Sequence, residues 1–255
     1  MKLQLFRNHL AASINQPSAN NGCASLWSTT YRFVTMMMAV ILVVGSIAQA
    51  HASTPPPIGF SDSFEGNAIY PYWALTREYG QIAISKDQVY SGGHSLKFSA
   101  ITGGDRHLSA IHKLPAPTKG TVSIAFYDYA PGTETLYEQL TLSNSKNPAD
   151  IATVGTMDFD QECYESSFGN GDGPNANCGI YPQLTTTPVK RTVGWHVLEI
   201  AFGNSYVSIA IDGAVVYSVA GNYSFDTISV AVSGPSWRPD TVAYFDDFKF
   251  TPLTY

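Results

Sequence analysis

Charge is scarce in this chain. Only 13% of its 255 residues are Asp, Glu, Lys or Arg, and Lys and Arg together number 14 against 20 acidic residues. Lys2, Arg7 and Arg32 all precede residue 52, where there is no acid at all, so the remainder carries 11 bases against 20 acids, a net of −9. A body that acidic repels phosphate backbones and anionic membranes, which excludes nucleic acid as a partner and disfavours strongly anionic polymers. Cysteine is nearly absent too, with three residues, Cys23, Cys163 and Cys178. Two thiols outside the first 52 residues do not make a zinc site. Amphipathic helical periodicity is missing, as are a Gly-x-Ser-x-Gly elbow, a His-Glu-x-x-His pair and a phosphate-cradling glycine loop. Serine hydrolases, metalloproteases and nucleotide enzymes therefore have no support here. Disorder is excluded by the 44% hydrophobic and 13% aromatic content.

One apolar run stands out. Phe33 to Ala48 has no charge, follows Arg32 and ends in the small-x-small sites Ala48-Gln49-Ala50 and Ala50-His51-Ala52. Basic flank, apolar stretch and small residues read as a secretory signal peptide, and the run is shorter than the ~20 residues of a spanning helix. Residues 1–52 are thus read as a leader and 53–57, with Pro55-Pro56-Pro57, as an extended spacer. Residues 58–255 form one domain, secreted to the periplasm or the extracellular space, with no membrane span in the mature chain. Cys23 leaves with the leader. In an oxidising compartment the even pair Cys163 and Cys178 is expected to form a disulfide around a Gly/Asn-rich loop.

Within 58–255 short alternating segments are broken by Gly, Asn, Asp and Pro. Gln81 to Ser85, Ser95 to Phe98 and Thr121 to Phe126 alternate, and Trp195 to Phe202, Tyr206 to Ile211, Val215 to Val219, Ile228 to Val232 and Val242 to Phe250 follow. Asp212-Gly213 between two such runs is a strong hairpin signal. About a dozen strands without intervening helices predict an all-β, antiparallel sandwich of the jelly-roll kind.

Four segments carry a resemblance. They are Asp62-Ser63-Phe64-Glu65-Gly66 with Tyr72-Trp73; Tyr90-Ser91-Gly92-Gly93-His94; Gly194-Trp195-His196 running into Asp212-Gly213; and Tyr244-Phe245-Asp246-Asp247-Phe248. In that order they resemble the concanavalin A-like lectin/glucanase superfamily, in particular its laminin-G-like bacterial jelly rolls. The resemblance implies a polysaccharide or glycan as partner. It also implies a structural Ca2+, for which Glu65 on the first strand and Asp246 and Asp247 on the last supply hard carboxylate donors. The superfamily holds lectins, glycoside hydrolases, polysaccharide lyases and adhesion modules, so it implies fold more than function.

Aromatic residues carry the binding expectation, because sugar rings stack their C–H faces on them. Tyr72, Trp73, Tyr164, Trp195 and Trp237 are the candidates. Alternation places His196, Leu198, Ile200 and Phe202 on the core side of their strand, with Trp195 and Glu199 on the outer side. His196 is then a structural histidine. The catalytic candidates are Asp158, Asp160 and Glu162, whose spacing is similar to the Glu-x-Asp-x-Glu strand of laminarinase-like hydrolases. On a strand the three carboxylates share one face and raise each other's pKa, although Asp158 stands where the longer nucleophilic Glu belongs. An acidic loop leading into the disulfide is the reading set against it. For a lyase, Arg106-His107, His112 and several tyrosines are present at no diagnostic spacing. Three readings follow: a carbohydrate-binding protein, a small polysaccharide-degrading hydrolase or lyase, and an adhesion or envelope protein without a sugar ligand.

Non-reducing mass spectrometry of the exported protein is expected to find a first residue between Ala50 and Ser53 and no alkylatable thiol. A bridge closing about 15 residues stabilises by roughly 3 kcal/mol. An intact Met1, or two alkylated cysteines in the folded protein, would contradict these expectations.

Overall fold

A computed structural model of the full chain describes residues 59–101, 103–129, 137–156, 162–169, 185–236 and 241–254. The leader, the spacer, Asp158, Asp160, Cys178 and Trp237 lie outside those residues. Among the described residues there is no helix, so none is long and apolar enough to cross a membrane.

Among the described residues fifteen strands follow one another: β1 (Phe60–Asp62), β2 (Ala74–Glu78), β3 (Gly80–Ser85), β4 (Ser95–Ala100), β5 (Arg106–Thr118), β6 (Gly120–Asp128), β7 (Tyr137–Ser143), β8 (Ile151–Gly155), β9 (Cys163–Phe168), β10 (Thr185–Lys190), β11 (Gly194–Phe202), β12 (Tyr206–Ile211), β13 (Ala214–Ala220), β14 (Phe225–Gly234) and β15 (Thr241–Pro252). They form two antiparallel sheets. One has eight strands in the order β13-β12-β11-β6-β15-β4-β3, with β1 also paired to β15. The other has seven, in the order β10-β9-β8-β7-β14-β5-β2. The predicted jelly-roll sandwich is the observed architecture.

Period-two alternation explains why these segments are strands. Val122, Ile124 and Phe126 on β6, Leu198, Ile200 and Phe202 on β11, and Phe245, Phe248 and Phe250 on β15 all point inward from the larger sheet. Leu108 and Ala110 on β5, Leu140 and Leu142 on β7, and Ile228, Val230 and Val232 on β14 meet them from the smaller one. Burying a side chain of this size stabilises by about 1.5–3 kcal/mol, and only one face of each strand is needed to do it. The Asp212-Gly213 hairpin forms as predicted between β12 and β13, both residues having positive φ (50° and 78°) as a primed turn requires.

One strand breaks its own alternation. Along β15 the register shifts between Asp246 and Lys249, and Asp247 has φ 46°. This bulge puts an extra residue between Phe245 and Phe248, both of which remain in the core. The second edge of β15 is shared by β4, which pairs with 241–245, and β1, which pairs with 248–250, on either side of the bulge.

Candidate functional site

The outward residues of the seven-stranded sheet follow from its inward ones. Because Glu138 and Leu140 on β7 are buried, Tyr137, Gln139 and Thr141 face out; because Leu108 and Ala110 on β5 are buried, His107, Ser109 and Ile111 do. The pairing registers then draw a line across all seven strands: Thr76, Ser109, Ala231, Gln139, Gly155, Glu165, Thr186. With strands about 4.8 Å apart it spans roughly 29 Å. Beside it run Ile111, Ser229, Thr141, Thr153 and Ser167. The face is lined by hydroxyls, small residues and one amide, and its floor is low at Ala231 and Gly155. Nothing larger than glycine fits at 155, where φ is 154° and a Cβ would lie 1.9 Å from the Glu138 carbonyl oxygen.

Two of these hydroxyls are unusual. Ser109 and Ser167 are 1% and 3% exposed, and among the described residues neither Oγ has a hydrogen-bond partner. A buried unbonded hydroxyl costs about 1–3 kcal/mol. Glu165, a carboxylate only 1% exposed, lies on the same face two residues before Ser167 on β9.

Under this face a polar network holds β7 and β9 in place. Asp128, the last residue of β6 in the other sheet, receives two hydrogen bonds from the Arg191 guanidinium at 2.8 Å each and a third from the Tyr164 hydroxyl at 3.0 Å. Glu138 is tied to Thr156, whose hydroxyl accepts from the Glu138 amide at 3.0 Å and donates to its carboxylate. The Thr156 amide donates to the Glu138 carbonyl at 2.9 Å. Burial pushes the Glu138 carboxyl up to about 7, against the opposing pull of Thr156 and Arg191. His196, as expected, is a structural residue: Nδ1 lies 2.7 Å from Asp212 Oδ2, Nε2 lies 2.8 Å from the Thr192 carbonyl, and its ring packs against Tyr164.

Several sequence-predicted site residues take other roles. Trp73 is 4% exposed, packs edge-on against Phe248 and donates from its indole to Asp62 at 2.9 Å. Tyr72, half-buried beside it, donates its hydroxyl to the same carboxylate at 3.0 Å. Tyr164 is fully buried under the Asp128 network. These three rings are held by the sandwich because a large apolar ring with one donor is best buried against a carboxylate acceptor. Of the binding candidates among the described residues only Trp195 lies on an open face, the outer side of the eight-stranded sheet. Glu162 is exposed on a bend before β9, which begins at Cys163, so the described part of the acidic run is not a strand. The missed residues are Glu165, Ser109 and Gln139. Glu165 sits two places beyond Cys163 in an alternating run, a signal overshadowed by the denser acids before it.

Glu65, Asp246 and Asp247 converge on the turn at 90–94. Glu65 accepts from the amides of Gly93 (2.9 Å) and His94 (3.1 Å), which hold its carboxyl below the usual range. Asp246 accepts from the amides of Tyr90 (2.9 Å), Ser91 (3.1 Å) and Asp247 (2.7 Å), while burial pushes its own pKa up. Asp247 accepts from the Ser91 hydroxyl at 2.7 Å. An ion at this turn would share oxygens already engaged by these donors. Among the described residues no group of three or more His, Cys, Asp or Glu draws together as a metal cluster.

Because the folded pKa of Glu138 lies above its ordinary value of 4.5, the stability of the neutral carboxyl is complete below about pH 4.5 and lost as pH rises through about 7. Glu138→Gln, neutral throughout, is expected to melt above the parent near pH 8 and to match it near pH 4. Parallel melting curves across that range would contradict this.

No protein-family model matches the chain, and no curated protein does. Solved structures do. The Crh5 transglycosylase in its apo form superposes with a TM-score of 0.53 at 14% identity, over 77% of this chain and 85% of that one. The beta-glucanase of Bacillus licheniformis gives 0.52 at 8% identity, over 76% and 97%. LamAcat from Zobellia galactanivorans gives 0.50 at 14% identity, over 77% and 97%. The likeness is one of architecture, and it agrees with the two sheets described above: the chain has the concanavalin A-like jelly-roll fold.

Proposed function

We propose that this protein engages a polysaccharide chain laid across the outer face of its seven-stranded sheet. The observation that carries the reading is the hydroxyl-lined track that the pairing registers draw across all seven strands of that sheet. A polyhydroxylated chain meets such a track with donors and acceptors in dense succession, and the length of the track suits a polymer better than a single sugar. Gln139 and Glu165 add an amide and a carboxylate, the groups that bond sugar hydroxyls with direction. The fold is shared with proteins named as a glucanase and a transglycosylase, which supports a saccharide ligand by analogy.

A second reading rests on Glu165 alone. A buried carboxylate on a ligand-facing surface is a candidate general acid, and a hydrolase would pair it with a second carboxylate about 5–9.5 Å away. Export and the Cys163–Cys178 bridge belong to the same proposal, since a polysaccharide-engaging protein meets its ligand outside the cell. Calcium at the 90–94 turn is likewise proposed; a chelator is then expected to lower the melting temperature, and an unchanged curve removes the ion.

Retention of the purified protein on an insoluble polysaccharide panel, read together with new reducing ends and absorbance near 235 nm, tests the reading. Gln139→Ala is expected to weaken retention severalfold without lowering the melting temperature, because Gln139 is an outward, half-buried amide on the track. Glu165→Gln separates the two readings: lost retention without any product in the parent supports binding, whereas lost product with retention intact makes the protein an enzyme. If the panel is neither retained nor cleaved, both fall.

A further inference from the structure

The opposite face of the sandwich carries its own constellation. Trp195 on β11, Tyr127 on β6 and Tyr244 on β15 are direct cross-strand partners, and their chain neighbours His196, Phe126 and Phe245 point into the core, so all three rings stand outward. Trp195 meets Tyr127 edge to face at 5.4 Å and Tyr127 meets Tyr129 edge to face at 4.9 Å, while Tyr129 lies tilted against Tyr244 at 5.9 Å. Tyr244 is buried beneath this group, with the Lys97 ammonium over its ring and its hydroxyl on Asp87. Tyr90 closes the other end, 5.5 Å from Trp195 and 45% exposed.

Immediately beyond the aromatic row the sheet surface drops. Ala125 and Val197, two residues along their strands from Tyr127 and Trp195, floor a hollow of about 340 Å³ walled by Tyr90, Asp247, Lys249 and Ser61. The bulge in β15 builds two of those walls at once. It turns Asp247 toward the hollow, and through Asp246, whose carboxylate holds the Tyr90 and Ser91 amides, it fixes Tyr90 on the facing rim. The Ser91 hydroxyl on Asp247 closes the clasp. The geometry is therefore set by a buried carboxylate and a strained backbone, which is costly to maintain for a surface without a role.

We propose that this hollow and its aromatic rim form a second saccharide site, independent of the track on the other sheet, that takes one ring of a neutral pyranoside. The volume is near the lower end of small-ligand pockets. Tyr90 and Trp195 offer ring faces for sugar C–H groups, while Asp247, Lys249 and the serine hydroxyl of Ser61 offer donors and acceptors at one side of it. The Asp247 carboxylate on the wall, in a protein body of net −9, selects against anionic sugars.

The test is titration of the full-length protein with short neutral oligosaccharides based on glucose, galactose, mannose and xylose, and with one uronate oligosaccharide, followed by intrinsic fluorescence and calorimetry. At least one neutral oligosaccharide is expected to bind and to perturb the fluorescence. Tyr90→Ala and Trp195→Ala should each weaken it about tenfold, with the melting temperature held by the Tyr90 variant. Gln139→Ala, on the opposite sheet, should leave this affinity unchanged even if it abolishes retention on the insoluble polymer, so the two sites fail separately. Affinity unaltered by Tyr90→Ala, a tighter fit for the uronate, or no binding by any neutral oligosaccharide overturns the proposal.

Discussion

Taking a carboxylate and a guanidinium out of water costs several kcal/mol per ion unless their hydrogen bonds are rebuilt inside. Asp128 and Arg191 rebuild them with two parallel bonds at 2.8 Å, and Tyr164 adds a third. Asp128 ends a central strand of one sheet, Arg191 leads from the other sheet into β11, and Tyr164 lies on β9. Removing one partner would leave a charge buried and alone, which is far worse than losing a contact. The pair therefore sets where β9 stands against β6, and with it where Glu165 stands on the outer face. Glu138 and Thr156 do the same for β7 and β8, whose outward residues Gln139 and Gly155 come next to Glu165 along the register line.

Much of this could be read from alternation alone. The strands, the Asp212-Gly213 hairpin, the inward turn of His196 and the outward turn of Trp195 all follow from a period of two residues, which is local information. What local information does not hold is partnership. Trp73 and Tyr164 look alike in sequence to any surface ring, yet each is claimed by a carboxylate, Asp62 eleven residues away and Asp128 thirty-six residues away. The track on the seven-stranded sheet is further from view, because its residues become neighbours only through the registers of strands scattered from Thr76 to Ala231. Asp246 and Asp247, read together as metal donors, act differently once a bulge separates them: one is buried under a turn and the other lines a hollow.

The two outer faces share no residue and differ in chemistry. One is hydroxyl-rich and nearly free of rings; the other concentrates its rings on one side of a small polar hollow. Hydrogen-bonded and stacked recognition are two solutions to the same ligand class, and a sandwich has room for both because each sheet spends only one side on the core.

That division also bears on how far a sequence with this fold can vary. A strand that buries alternate residues leaves the others answerable only to solvent and ligand, so about half of each strand can drift without loosening the core. Inward positions tolerate any apolar side chain of suitable volume, which loosens them as well. An architecture specified so thinly is open to very different sequences, which is how this chain shares its two-sheet fold with solved structures at 8–14% identity.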